Sequence, residues 1–309
     1  MNDSVALVVP TRNRAGYLPE LFSSLQRQDL KPTLVMVVDS SDEGHARDAA
    51  RAAVEDAALP CEYLHTRTAS APAQRNIGVK AVRRVLETSY IAFADDDVRL
   101  APDYLRRLVT VLEGDTVGAV MGASGVSQGE ITPLPLHWRV YRRVFGLAGG
   151  KAGGLMPSGI NIPVPPETEA PVLTDWLFGC SMWRTRVFDT FAFRDDMPGA
   201  ALYDDVEFSA RVSRSHALVV DPRARLVHLL AEEERPDVRL HHHRWMRNRH
   251  AVVEAVFATR RASAAYWWAS FGFGLLAGLR AATGSAEQRE RFVGLLTGTL
   301  GVLRQEPMR

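Results

Sequence analysis

Cysteine is scarce. The 309 residues include two, Cys61 and Cys180, far apart and in apolar surroundings. Neither a disulfide framework nor a cysteine-type zinc site is therefore expected, and two buried reduced thiols are the plain reading. Charge of one sign is also missing. The 37 basic and 36 acidic residues leave a formal net charge of +1. No overall field draws the chain to nucleic acid, so phosphate contacts must come from local clusters. Long apolar runs are absent too. The strongest, at 266–279 and 292–303, stop short of the roughly 18–20 residues that span a bilayer. The first residues lack a basic segment followed by an apolar one, so no signal peptide is expected. No internal repeat or low-complexity tract occurs.

What is present describes a globular chain, 46% hydrophobic and 24% charged. Its length allows one large domain, or one domain with a helical appendage. Short apolar runs at 5–10 (VALVVP), 34–38, 61–65 and 90–94 (YIAFA) have the character of buried strands. Between them, 18–28, 46–58 and 71–88 have helical patterns. Strands apolar throughout, alternating with helices, predict a mostly parallel α/β sheet covered on both faces. Ligands then bind beyond the carboxyl ends of the strands. Polar residues collect at those ends: Thr11–Arg14, Asp39–Asp42 and Asp95–Asp97. Residues 146–171 predict a long binding loop, rich in Gly and Pro. Regular patterning returns at 176–186, in a helix at 204–214 and in two short strands at 217–221 and 225–229. From about residue 239 the chain is helical.

Four features could carry chemistry. Asp95, Asp96 and Asp97 directly follow an apolar strand. Three adjacent carboxylates repel unless a cation sits among them, and Mg²⁺ or Mn²⁺ commonly bridges such oxygens to phosphates. The plain alternative is an acidic turn before a helix starting near Pro102. Asp204-Asp205-Val206-Glu207 opens a helix, where acids complement the dipole; one of them could equally be a general base. His228 ends a strand-like run, where a packed core histidine is the plain reading. It becomes a metal ligand only if it faces Asp97. The run His241–His243 with Arg244, Trp245, Arg247 and Arg249 fits either a solvated helix face or a phosphate-neutralising patch.

Taken together and in order, these segments resemble family 2 inverting glycosyltransferases of the GT-A fold, from Val5 to about Arg249. VALVVPTRNRAGYLPELFSSL is similar to the family's opening strand, loop and helix. VMVVDSSDEG places Asp39 where the family has its base-binding aspartate. APAQRNIGVKAV resembles the stretch that approaches the donor, through Arg75 and Asn76. YIAFADDDVRLAPDYL resembles the DxD motif. TDWLFGCSMWRTRVF is similar to the acceptor-side segment, with Trp176 and Gly179. LYDDVEFSARV stands where the family has Glu-Asp and its base. RLVH resembles the late histidine that some members use as a metal ligand. One departure is that the base motif is Asp-Asp, so Asp204 replaces the glutamate or the register is off by one. HHHRWMRNR only loosely resembles the Arg-Trp motif of processive synthases.

The resemblance implies a GT-A catalytic domain over 1–238, with a nucleotide-sugar-binding half at 1–115 and an acceptor-binding half at 116–238, and a helical region at 239–309. It implies a nucleoside diphosphate sugar as donor. Pro10, Thr11, Arg12 and Asp39 would hold the nucleoside, with Arg75, Asn76, Asp95 and Asp96 nearby. Asp97, Asp95 and His228 would hold Mg²⁺ or Mn²⁺, and Asp205 would act as base. Trp176, Gly179 and Asp204 would shape the site for a glycan, lipid-linked or small-molecule acceptor. Two rival classes stand beside it: a sugar-phosphate nucleotidyltransferase, and a non-catalytic subunit of this fold in a membrane-associated complex. Pro10-Thr11-Arg12-Asn13-Arg14 counts against the first, which opens with a Gly-rich loop and a lysine. The expected location is the cytoplasm. The apolar C-terminal helices fit two uses. One is packing against the domain or a dimer mate. The other is peripheral attachment to the inner face of the membrane through Trp267, Trp268, Phe271 and Phe273, with Arg260, Arg261 and Arg280 near head groups.

Overall fold

β1 (Val5–Thr11), β2 (Leu34–Asp39), β3 (Cys61–His65) and β4 (Tyr90–Phe93) pair in parallel, in the order β3-β2-β1-β4. The computed structural model describes residues 4–114, 120–128, 135–196, 202–229 and 237–305. Residues 1–3 and the expected division between halves at 115/116 lie outside them. β1 shows why the runs are continuously apolar. Val5, Leu7 and Val9 enter one core with Leu18, Leu21 and Leu25 of α1 (Leu18–Gln26) and Val54 of α2 (His45–Glu55). Ala6 and Val8 enter a second core with Val79 and Val82 of α3 (Ala71–Val85). Alternate side chains point to opposite faces, and both faces are covered.

The second half is mixed. After β4 come β5 (Val98–Leu100), α4 (Tyr104–Glu113), β6 (Val120–Ser127), α5 (Leu136–Val144), β7 (Val172–Thr174), β8 (Ser181–Arg184), α6 (Asp204–Val212) and β9 (Ala217–His228). The nine-stranded sheet continues β4-β8-β6-β9-β5, with β7 also on β9. β8 runs antiparallel to both β4 and β6, and β9 antiparallel to β5 and β7 but parallel to β6, so the sheet expected to be mostly parallel is mixed in its second half. The two strands expected at 217–221 and 225–229 are one strand, β9, with an irregularity between them. Pro222 explains it: a proline removes a ladder donor and favours a bulge. Gly125 of β6 accommodates the bulge, since a Cβ there would lie 2.0 Å from the Ala224 carbonyl oxygen. Neither β5 nor α5 is visible in the sequence pattern; α5 buries none of its residues. α3 ends at Val85 rather than 88, because Leu86 is extended.

The C-terminal region is helical as expected: α7 (Val238–Val256), α8 (Arg260–Thr283) and α9 (Ala286–Leu303). α7 and α9 pack closely through Gly294 and Gly298, where a Cβ would meet the Arg239 and His243 carbonyl oxygens. The His241–Arg249 stretch belongs to this packing. His243 Nδ1 lies 3.1 Å from Thr297 Oγ1, and burial lowers the pKa of His241 and His242. Arg249 is fully buried over the rings of Trp245, Tyr266 and Phe273.

Gly78 sets the distance between α3 and the sheet. A Cβ there would lie 2.3 Å from Val8 Cγ1. Gly78→Leu is expected to destabilise the fold by about 1–3 kcal/mol through overpacking, read as a lower urea midpoint. An unchanged midpoint would mean that the helix sits on the sheet less tightly than these distances require.

Candidate active site

The three aspartates between β4 and β5 do not share one environment. Asp96 is fully buried. It accepts a 2.6 Å hydrogen bond from Thr11 Oγ1 and pairs with Arg14 at 2.7 Å. Burial raises its pKa to about 7, against the pull of Arg14 and Thr11. It ties the loop after β1 to the end of β4, so it holds the site from within rather than facing a donor. Asp97 lies 3.5 Å from the other Arg14 nitrogen. Asp95 pairs with Arg75 at 3.1 Å, and Cys180 Sγ lies 4.0 Å from its other oxygen. Burial pushes the Cys180 thiol well up, so it stays protonated.

β9 delivers His228. Its Cα is paired with Val98 of β5, and Leu229 N donates to the Asp97 carbonyl at 2.8 Å. Nε2 lies 3.6 Å from Asp95 Oδ2 and 3.8 Å from Asp97 Oδ1, and is buried without a hydrogen-bond partner. Phe178 meets the imidazole edge-on at 5.6 Å. Donors sharing one ion are roughly 3–4 Å apart, given bonds of about 2.1 Å. An orphaned nitrogen facing two carboxylates therefore fits a divalent cation. Among the described residues no three ligands are already gathered around one point. Such an ion would need phosphate oxygens and water to complete its shell, as Mg²⁺ commonly does.

Arg75 joins this cluster to the next. One guanidinium nitrogen binds Asp95 and another binds Asp204 at the start of α6, with the side chain 6% exposed. Burial alone would lower its pKa; Asp204 and Asp95 outweigh this and raise it. The residue is thus held among carboxylates rather than presented freely to a donor. Gly179 packs against the pair: a Cβ there would sit 3.3 Å from Arg75 Nη2 and 3.5 Å from Asp95 Oδ2.

The α6 acids are also distinct. Glu207 is fully buried and pairs with Arg211, one turn on, at 2.7 Å. Asp204 is held by Arg75. Asp205 is half-buried, and its Oδ1 accepts from Val206 N at 2.7 Å. Burial and the adjacent Asp204 raise its pKa to about 7, while Arg75 opposes them.

Other expected residues lie elsewhere. Asp39 is fully buried at the end of β2; Ser41 N, Ser41 Oγ and Tyr63 Oη donate to its oxygens at 2.6–2.8 Å. Arg12 is exposed and pairs with Asp42. Pro10 is buried within β1. Asn76 faces away from the acids, exchanging hydrogen bonds with Phe193 N and O at 3.0 and 2.8 Å. It is a clamp between α3 and the following segment. Trp176 donates to the Ile162 carbonyl and lines a cavity of about 320 Å³ with Phe178, Val126, Pro163 and Val164. Two residues escaped the sequence reading. Arg14 counters Asp96 and Asp97, and Gln74 donates to the Thr11 and Val38 carbonyls, locking β1 to β2. A second basic residue, two positions after Arg12 in the loop that follows β1, was the signal for the first; nothing distinguished the second.

The parallel half thus carries acids at its carboxyl edge, with a second acidic pair beside them. Residues 6–179 match the family described as Glycosyl transferase family 2, and the chain belongs to that family. It is a glycosyltransferase, moving sugar from a nucleotide-sugar donor. No curated protein matches it. The fold is similar to that of S. aureus TarS residues 1–349: TM-score 0.54, 16% identity, 96% of this chain and 80% of that one covered. It is also similar to the mannosyltransferase PcManGT from Pyrobaculum calidifontis, solved with GDP-Man and Mn²⁺: TM-score 0.55, 17% identity, 98% and 87% covered.

Arg75→Met leaves Asp95 and Asp204 buried without their cation. It is expected to cost about 3–5 kcal/mol of stability at pH 7. The deficit should shrink as pH falls, because the orphaned carboxyls, with folded pKa values raised above the unfolded ones, then take up protons. Denaturant titrations at several pH values measure this; a pH-independent deficit would refute the pairing.

Proposed function

We propose that the chain catalyses inverting transfer of a single sugar from a nucleoside diphosphate sugar to an acceptor hydroxyl. The observation that carries this reading is the shared grip of Arg75 on Asp95 and Asp204, which sets Asp205 beside the cation-type cluster. Thr11, Arg12 and Asp39, at the adjoining ends of β1 and β2, form the floor for the nucleoside. Opening this floor to a base requires Asp39 to exchange Tyr63 or Ser41 for the ligand.

Asp97, Asp95 and His228 would hold Mg²⁺ or Mn²⁺ against the diphosphate. When bound, the ion supplies Lewis-acid neutralisation of the leaving group. Arg14 and Arg75 keep the neighbouring carboxylates paired and oriented. Asp205 takes the acceptor proton on Oδ2, its Oδ1 being steadied by Val206 N. Asp204 is held by Arg75 and Glu207 by Arg211, so of the three acids Asp205 is the one left to react. The acceptor, a glycan, lipid-linked sugar or small glycoside, enters beside Trp176 and Gly179.

Asp205→Asn is expected to lower kcat by roughly 10²–10⁴-fold while donor affinity is retained. Full activity in that variant would move the base elsewhere. In the unsubstituted protein transfer should decline as pH drops through about 7, because Asp205 must be ionised to accept a proton. A flat profile from pH 6 to 8 would contradict this.

Asp97→Ala is expected to remove the part of donor affinity that depends on Mn²⁺, measured by calorimetry. GDP-mannose, the ligand of the Pyrobaculum structure, is the first donor to test beside UDP- and dTDP-sugars. Equal affinity with and without Mn²⁺ in the unsubstituted protein would remove the ion from the scheme.

A further inference from the structure

Two helices share one apolar surface that no other described element covers. α5 carries Leu136, Val140 and Val144 at four-residue spacing, 72%, 54% and 57% exposed. α8 is apolar on two sides. Ala262, Tyr266, Ala269 and Ala277 are buried, whereas Trp268, Phe271, Leu275 and Leu279 are exposed. A helix apolar all round belongs in an interior, and this one has only one side there.

The two exposed stripes are continuous. Trp268 Nε1 donates to the Val144 carbonyl at 2.8 Å. Phe145 stacks on Trp268 with centroids 5.1 Å apart and lies 6.0 Å from Phe271. Gly272 permits the contact, since a Cβ there would lie 2.5 Å from Phe145 Cβ. Charge names the occupant. Neither helix contains a single Asp or Glu. α5 carries Arg139, Arg142 and Arg143; α8 carries Arg260, Arg261 and Arg280, the last 5.4 Å above the Trp138 ring. An apolar stripe with only cationic neighbours on its own helices complements acyl chains beneath anionic head groups. A second copy of the same surface would set arginine against arginine. No helix among the described residues is long and apolar enough to cross a bilayer, so contact would lie in the interface plane.

We propose that α5 and α8 together form a docking surface for an anionic phospholipid bilayer. The inference stands apart from the chemistry assigned to Asp205 and the β4 acids.

The test is flotation of the full chain with vesicles of phosphatidylcholine alone and of phosphatidylcholine mixed with phosphatidylglycerol. Binding is expected to the anionic vesicles, to weaken with salt, and to be much lower on neutral ones. Arg139→Glu with Arg143→Glu should cut partitioning by roughly 30-fold or more. Phe271→Ser with Leu279→Ser should cut it as well. All four side chains are exposed, and circular dichroism checks that the variants remain folded. Failure of the unsubstituted protein to bind anionic vesicles overturns the proposal, as does equal binding to neutral ones. So does a light-scattering dimer that the same substitutions dissociate without any vesicle binding, which would give the face to a second copy.

Discussion

The acids that follow β4 and those that open α6 are joined by a buried guanidinium. Arg75 projects from α3, in the parallel half, and grips Asp95 beside it and Asp204 across the cleft. Removing three charges from water is unfavourable unless each finds a close opposite partner. The geometry is consequently demanding. Gly179 lies close against both Arg75 and Asp95, and α6 must begin where its first acid reaches α3. The link makes the two halves one site, and it distinguishes neighbouring carboxylates. Asp204 keeps its cation, while Asp205, alongside it, carries a pKa near 7. Burial raises the pKa of both acids and Arg75 opposes it at both, but only Asp204 is paired directly with the guanidinium.

The same logic resolves the aspartate triplet. Three adjacent carboxylates would repel one another if they pointed together. Each instead has its own company. Asp96 turns inward to Thr11 and Arg14, Asp95 meets Arg75, and Asp97 lies between Arg14 and His228. Only the outer two face His228. The inner one anchors the loop after β1, so the strand that would floor the nucleoside and the strand that ends in acids are bound together.

Much of this was legible in the sequence, for physical reasons that can be named. β1, β2 and β4 are covered on both faces and so carry unbroken apolar runs, and the acids that follow them had to sit at the ligand edge. The mixed second half was harder to see. β5 is three residues long, and β9 is interrupted by Pro222, which resembles a strand end locally but forms a bulge beside Gly125. α5 buries nothing and so has no core-facing stripe to betray it. Asn76 and Arg75 are adjacent in one motif, yet one clamps Phe193 while the other enters the cleft; a helix turns about 100° per residue, and only the packed fold says which side faces what.

By itself, then, the sequence determined the alternation of buried strands and helices, the placing of acids at strand ends and the helical C-terminal region. These follow from local periodicity and from the cost of leaving apolar or charged groups in the wrong solvent. Tertiary structure alone decided that Arg14 meets Asp96 and Asp97, that Arg75 meets Asp95 and Asp204, and that His228 faces Asp95 and Asp97. Those pairings join residues up to 133 positions apart in the chain, as from Asp95 to His228. Such distances are closed by the direction and register of β8 and β9, which no local pattern records.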